Sequence, residues 1–172
     1  MSCRNVEIKA KVKDLPSFLL KCEEVSQSVG EVIKQEDFFF NAKEGRLKLR
    51  KFEGGAAELI FYNRPNMEGP KLSEYEKCSV SDGSKLQAVL SRALGVSGEV
   101  RKYRHLFLVG QTRIHVDQVE NLGSFMELEV VLSKNQTPED GERIADNLMN
   151  ELGICKDDLV STAYIDLLKA KT

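Results

Sequence analysis

Residues 6–12, VEIKAKV, alternate without interruption: Val6, Ile8, Ala10 and Val12 fall on one side, and Glu7, Lys9 and Lys11 on the other. In a strand, successive side chains point to opposite faces, so this pattern predicts an apolar row against a core and a charged row on the other face. The next segment changes period. In DLPSFLLKCEEVSQSVG, Leu15, Phe18, Leu19, Cys22 and Val25 recur at helical spacing, with Asp14 placed as N-cap and Pro16 in the first turn. GEVIKQEDFFFNAKEGRLKLRKF predicts two strands joined by a turn around NAKEG, and AAELIFYNRP and LSEYEKCSV predict a second pair across a Pro/Gly-rich loop. Asp82 caps a short helix that Gly95 ends, and EVRKYRHLFLVGQTRIHVDQV is a long hairpin turning at Gly110 and Gln111. After a turn at 121–123 comes the strand SFMELEVVL. Thr137 and Pro138 then open one helix, and DDLVSTAYIDLLKA predicts another.

Eight strands and about four amphipathic helices imply an α+β protein, and 172 residues suit a single domain over 1–172. Helices that bury their apolar stripes on the apolar rows leave the charged rows together on the opposite face. Those rows recur. Arg46, Lys48 and Arg50 are set against Leu47 and Leu49; Lys102 and Arg104 flank Tyr103; Arg113, His115 and Asp117 alternate with Ile114 and Val116; Glu127 and Glu129 alternate with Met126, Leu128 and Val130. A sheet of eight antiparallel strands can close into a barrel, with the charges lining a tunnel and the helices packed outside.

Composition narrows the reading by exclusion. The chain has 25 basic and 27 acidic residues, a net charge of −2, so global charge points to no nucleic acid. No apolar stretch approaches the ~18 residues of a membrane span and no leader pattern is present, which with four widely spaced cysteines suggests a cytoplasmic protein with reduced thiols. The expected partner is a small-molecule polyphosphate, with no nucleic acid and no membrane, and a monomer or homodimer is expected. The charged rows carry that expectation. Lys9, Lys11, Arg46, Lys48, Arg50, Lys102, Arg104 and Arg113 would supply positive charge, and Glu7, Asp117, Glu127 and Glu129 clustered carboxylates. Arginine forks hold phosphate, and carboxylates with phosphate oxygens hold Mg2+ or Mn2+, so the lining fits a metal-bound oligophosphate. His115 suits a hydrogen-bonded filler and a ligand equally. Phe38, Phe39 and Phe40 read as core rather than as a stacking platform.

Together these segments resemble the CYTH superfamily, the triphosphate tunnel metalloenzymes, which includes class IV adenylyl cyclases and thiamine triphosphatases. EIKAK resembles the family's Glu-x-Glu-x-Lys signature, QEDFFF with GRLKLR its second and third strands, and RIHVDQVENLGSFMELE its acidic strands. The resemblance implies an eight-stranded antiparallel tunnel that binds a triphosphate. By the same resemblance, Glu7, Glu127 and Glu129 are metal ligands, with Asp117 a ligand or its neighbour. Lys11, Arg46, Lys48, Arg50, Arg64, Lys102, Arg104 and Arg113 are implied to bind substrate, Lys9 joins them on its charge alone, and Glu7, Lys11, Glu127 and Glu129 are implied to carry catalysis. The parity of ELIFYNR leaves Arg64 on either face, and Glu74 and Glu76 share that ambiguity. Tyr164 resembles a position that closes the tunnel end. One departure stands out: Lys9 occupies the place of the signature's second Glu. The implied activity is metal-dependent triphosphate hydrolysis; the alternatives are cyclisation of ATP and non-catalytic polyphosphate or nucleotide binding.

Overall fold

The computed structural model describes residues 3–172. Eight strands, β1 (Cys3–Lys11), β2 (Glu31–Phe40), β3 (Arg46–Phe52), β4 (Ala57–Asn63), β5 (Lys71–Val80), β6 (Val96–Val109), β7 (Thr112–Val119) and β8 (Gly123–Val131), form a closed barrel in the order β1-β5-β4-β3-β2-β6-β7-β8. Every pairing is antiparallel, and β1 closes the ring by bonding β5 on one side and β8 on the other. Closure leaves no exposed sheet edge and separates an inner from an outer face.

The alternation reads out on the barrel as expected. Val6, Ile8 and Ala10 are buried on the outside of β1, while Glu7 and Lys9 line the interior. Helices α1 (Leu15–Ser26) and α3 (Pro138–Leu152) cover this outer face: Cys22, Leu148, Met149 and Leu152 pack with Ile8, Phe107, Ile114, Val116, Met126 and Leu128. Burying each large aliphatic side chain there contributes about 1.5–3 kcal/mol. The caps are those the sequence marks. Asp14 accepts from the Ser17 amide at 3.2 Å, and Thr137 and Asp140 form a reciprocal capping box. On the other side, α2 (Gly83–Leu94), capped by Asp82, places Leu86 and Leu90 over Phe38, Phe40 and Leu49.

The tail departs from its pattern. The helix expected from Asp157 begins only at Tyr164: residues 156–158 make one 3-10 turn, residues 159–163 form a non-helical strap that bends at Thr162, and α4 spans Tyr164–Ala170. Tertiary pairing overrides helical spacing here, because Leu159 bridges Ala10 and the Val160 amide bonds the Lys9 carbonyl at 2.9 Å. This strap carries Tyr164 and Ile165 into one barrel end, where they pack with Phe39, Val100, Val119 and Phe125. Gly98 makes room: a Cβ there would lie 2.3 Å from Ile165 Cδ1. The barrel is therefore plugged at this end. Among the described residues no helix is long and apolar enough to cross a membrane.

Candidate functional site

The inner rows enclose a cavity of about 280 Å3, at the small end of ligand pockets. Its wall carries eight lysines and arginines against five carboxylates, which favours a polyanion. The strand registers stack the interior in layers. Nearest the plug lie Lys9 and Phe39; next come Lys48, Asp37, Lys102, Glu127 and Glu7; then Arg50, Gln35, Arg104, His115, Glu129 and Asn5; and at the open mouth Ile33, Phe52, Leu106 and Arg113.

Two opposed clusters organise these layers. On β7 and β8, single ligand atoms of His115, Glu127 and Glu129 all lie within 4.8 Å of one another, and His115 Nδ1 stands 3.8 Å from Glu127 and 3.9 Å from Glu129. That nitrogen is buried without a hydrogen-bond partner, and burial, with Arg104 beside it, lowers the imidazole's pKa. A neutral imidazole between two carboxylates is a donor set that suits a divalent cation. Glu7 adjoins in register with Glu129, and Arg64 holds it at 3.3 Å. Burial, then the Glu129 charge, pushes the Glu7 pKa up to about 7 against the pull of Arg64.

Facing this acidic wall is a cationic one. Arg50 grips Asp37 through two bonds of 2.7 and 2.8 Å, with Lys48 at 3.3 Å and Lys102 at 3.5 Å from the same carboxylate. Burial alone would raise the Asp37 pKa; Arg50, Lys48 and Lys102 overcome it and hold the carboxyl well below its usual range. Burial lowers Lys48 to about 7, and neighbouring Arg50 adds to the shift. Three cations around one carboxylate leave an excess of positive charge for a ligand.

Lys9, Lys48, Arg50, Arg64, Lys102, Arg104, Arg113, Glu7, Glu127 and Glu129 all line the one cavity. Three expected residues do not. Lys11 is exposed at the end of β1, Arg46 is turned to Asp166 of α4, and Asp117 is fully buried, its oxygens bonded by Arg104 at 2.7 and 2.6 Å and by the Tyr164 hydroxyl at 2.9 Å. Asp117 thus orients Arg104 and the plug rather than joining the His115 cluster. Pairing register settles the parity of β4 and β5: Tyr62 and Arg64 face inward with Ser73 and Tyr75, leaving Glu74 and Glu76 outside. Lys9 does not extend the acidic cluster. Its ammonium lies 3.5 Å from Glu127, donates to the Thr162 carbonyl at 3.0 Å and sits 4.1 Å from the Tyr164 ring centre.

Sequence reasoning missed Asp37 and Lys71. Asp37 follows Glu36 and precedes three phenylalanines, which blurs the alternation; its inward parity was readable from Gln35 and Phe39. Lys71 opens β5 and donates to the carbonyls of Met67 and Ser161, both at 3.0 Å, pinning the strap.

Comparisons with known proteins agree with this architecture. The family described as CYTH domain matches residues 4–164. Adenylate cyclase CyaB of Aeromonas hydrophila is 24% identical over 169 residues, 92% of this chain and 85% of that one. A Methanocaldococcus jannaschii protein that also carries an adenylate cyclase name is 25% identical over 173 residues, 94% of this chain and 97% of its own. A solved structure from Pyrococcus horikoshii OT3 superposes with a TM-score of 0.80 at 23% identity, over 95% of this chain and 98% of that one.

Proposed function

Because the chain belongs to the CYTH domain family, we propose that it binds a triphosphate in this tunnel and hydrolyses it with Mg2+ or Mn2+ held by His115, Glu127 and Glu129 beside Glu7. One observation carries the reading: within a single cavity of the closed barrel, a carboxylate–imidazole cluster on β7 and β8 faces the Lys48, Arg50 and Lys102 cluster on β3 and β6. A divalent cation there supplies Lewis-acid polarisation and neutralises phosphate charge. The chain's own groups do the rest. The Arg50 and Arg104 forks match phosphate oxygens two at a time, and Asp37 and Asp117 hold those forks in place before substrate arrives. Lys48, poised near neutrality, takes up a proton at Nζ as negative charge approaches. Glu7, with a pKa of about 7, is matched to accept a proton from the attacking water. The plug of Tyr164 and Ile165 bars solvent from one end.

An imidazole in the donor set favours Mn2+ over Mg2+, which prefers oxygen alone. A second reading, cyclisation of ATP to cyclic AMP and pyrophosphate, is favoured by the adenylate cyclase names of two relatives. Incubation with tripolyphosphate, thiamine triphosphate or ATP plus either metal, followed by product separation, tests both. Orthophosphate release supports hydrolysis and cyclic AMP supports cyclisation. Tight binding without turnover leaves a polyphosphate- or nucleotide-binding module. Three exposed, unpaired cysteines suit a reducing cytoplasm as its compartment.

A further inference from the structure

The cavity offers fewer free carboxylate oxygens than its five acids suggest. Asp37 is claimed by Arg50, Lys48 and Lys102, Glu58 by Lys77 at 3.5 Å, and Glu7 by Arg64 at 3.3 Å. Glu127 is bracketed, with Lys9 Nζ 3.5 Å from Oε1 and Arg104 Nη2 3.2 Å from Oε2. Among the described residues, Glu129 alone of the five is in no ion pair with a lysine or arginine. A divalent cation draws on several donors at once, so Glu129, the shared Glu127 and His115 suffice for one such ion and not for two.

Lys9 stands where a second ion would have to sit, on the far side of Glu127 from His115. Its ammonium is 3% exposed and held from three directions, by Glu127, by the Thr162 carbonyl at 3.0 Å and by the Tyr164 ring centred 4.1 Å away. An ammonium has three donors. With one on Thr162 and one aimed at Glu127, the third remains for an oxygen in the cavity that Lys9 lines.

We infer that this tunnel takes one divalent ion and that the Lys9 ammonium is the second cation of the site, a fixed charge built into β1 that meets the polyphosphate beside the metal. The inference rests on the His115, Glu127 and Glu129 cluster holding a divalent ion next to a triphosphate, and adds how many ions the site takes and what replaces the other. A charge already in place needs no capture from solution and no reorganisation when the polyanion arrives. It also repels a further cation from Glu127, since like charges at such range oppose each other strongly inside a protein.

The test counts ions. Mn2+ is titrated into the wild type, Lys9→Met and Lys9→Glu, each equimolar with bis(methylene)triphosphonate, whose P–C–P bridges cannot be hydrolysed. Electron paramagnetic resonance follows the loss of the free-ion signal and the magnetic coupling between bound ions; calorimetry gives the affinity for the analogue, and thermal melts verify folding. The wild type is expected to bind one uncoupled Mn2+ per chain. Lys9→Glu should bind a coupled pair. Lys9→Met should keep a single ion and bind the analogue at least about tenfold more weakly, equivalent to about 1.4 kcal/mol. Should Lys9→Glu fail to fold, the wild-type count and Lys9→Met decide alone. A coupled pair in the wild type, a single ion in folded Lys9→Glu, or undiminished analogue affinity in folded Lys9→Met overturns the inference while leaving metal-dependent triphosphate binding intact. If the wild type holds no Mn2+, the metal reading falls and the inference falls with it.

Discussion

Lys9 and Glu127, paired in register across β1 and β8, meet 3.5 Å apart inside the tunnel, and the same ammonium bonds the Thr162 carbonyl. One buried cation thus joins the acidic cluster to the strap that plugs the barrel. Lys9→Glu would set a second carboxylate against Glu127 and free the strap. In metal-free buffer we expect a loss of about 3–5 kcal/mol, as for breaking a buried pair. Saturating Mn2+ should restore about 3 kcal/mol at a hundredfold excess over Kd. Lys9→Met should show the loss without the larger Mn2+ response. Melting temperatures with chelator and with Mn2+ check both.

Glu127 and Glu129 share a cluster but not an environment. Lys9 and Arg104 compensate Glu127, while Glu129, held charged by His115 and Arg104, has the larger effect of the two carboxylates that raise the pKa of Glu7. Both Gln variants should lose turnover by more than about 100-fold, because altering even a neighbour of a metal ligand costs 10–100-fold. Their stabilities should fall by different amounts. In chelator at pH 8, Glu127→Gln strands Lys9 and destabilises more, while Glu129→Gln gives up the attraction of His115 and Arg104 but relieves repulsion on Glu7, and so destabilises less. Urea unfolding at that pH separates the two.

Stability without metal should pass through a minimum near pH 7. Glu7 is raised from 4.5 to about 7, so its contribution is present below its unfolded pKa and lost as pH rises through 7. Lys48 is lowered from 10.5 to about 7, so its contribution is present above 10.5 and lost as pH falls through 7. Lys9, lowered to about 8, adds to the alkaline limb. Unfolding free energies at pH 5.5, 7 and 9 test the shape, and Lys48→Met should flatten the alkaline limb while sparing the acidic one.

The bidentate bond between Arg50 and Asp37 makes their variants interdependent. Arg50→Met leaves Asp37 with only the two lysines and should destabilise by about 3–5 kcal/mol. Adding Asp37→Asn should recover much of that loss without recovering affinity for tripolyphosphate, which has lost a fork. A double-mutant cycle of unfolding and binding measures this. Full recovery of binding in the double variant would place Arg50 outside the ligand site.

Most of the barrel was legible because strands with one charged row and one apolar row expose their parity directly. Lys48, Arg50, Lys102, Arg104, Glu127 and Glu129 were found inside on that basis. What failed did so for local reasons. Arg46 and Lys11 keep the right parity but sit at strand ends, where α4 or solvent takes the side chain. Asp117 has the right parity and is claimed by Arg104 and Tyr164. The strap was invisible because its non-helical form depends on hydrogen bonds to β1, and the hydrophobic spacing of Leu159, Val160 and Tyr164 suits a helix as well.

The seam between β1 and β8 also has a kinetic consequence. Glu7 and Lys9 lie on one side of it and Glu127 and Glu129 on the other, with more than a hundred residues of chain between them. Contacts of such long range form slowly, because the entropy of closing so large a loop is lost before the pairing rewards it. During synthesis, β2 to β5 can zip as hairpins, and β6 and β7 can pair and join β2, before β8 exists, but β1 has no partner on that side until β8 emerges. The acidic wall is therefore the last part of the tunnel to assemble. A divalent cation that binds only the closed seam would act on the final folding step, slowing reopening more than it speeds the early pairing of strands.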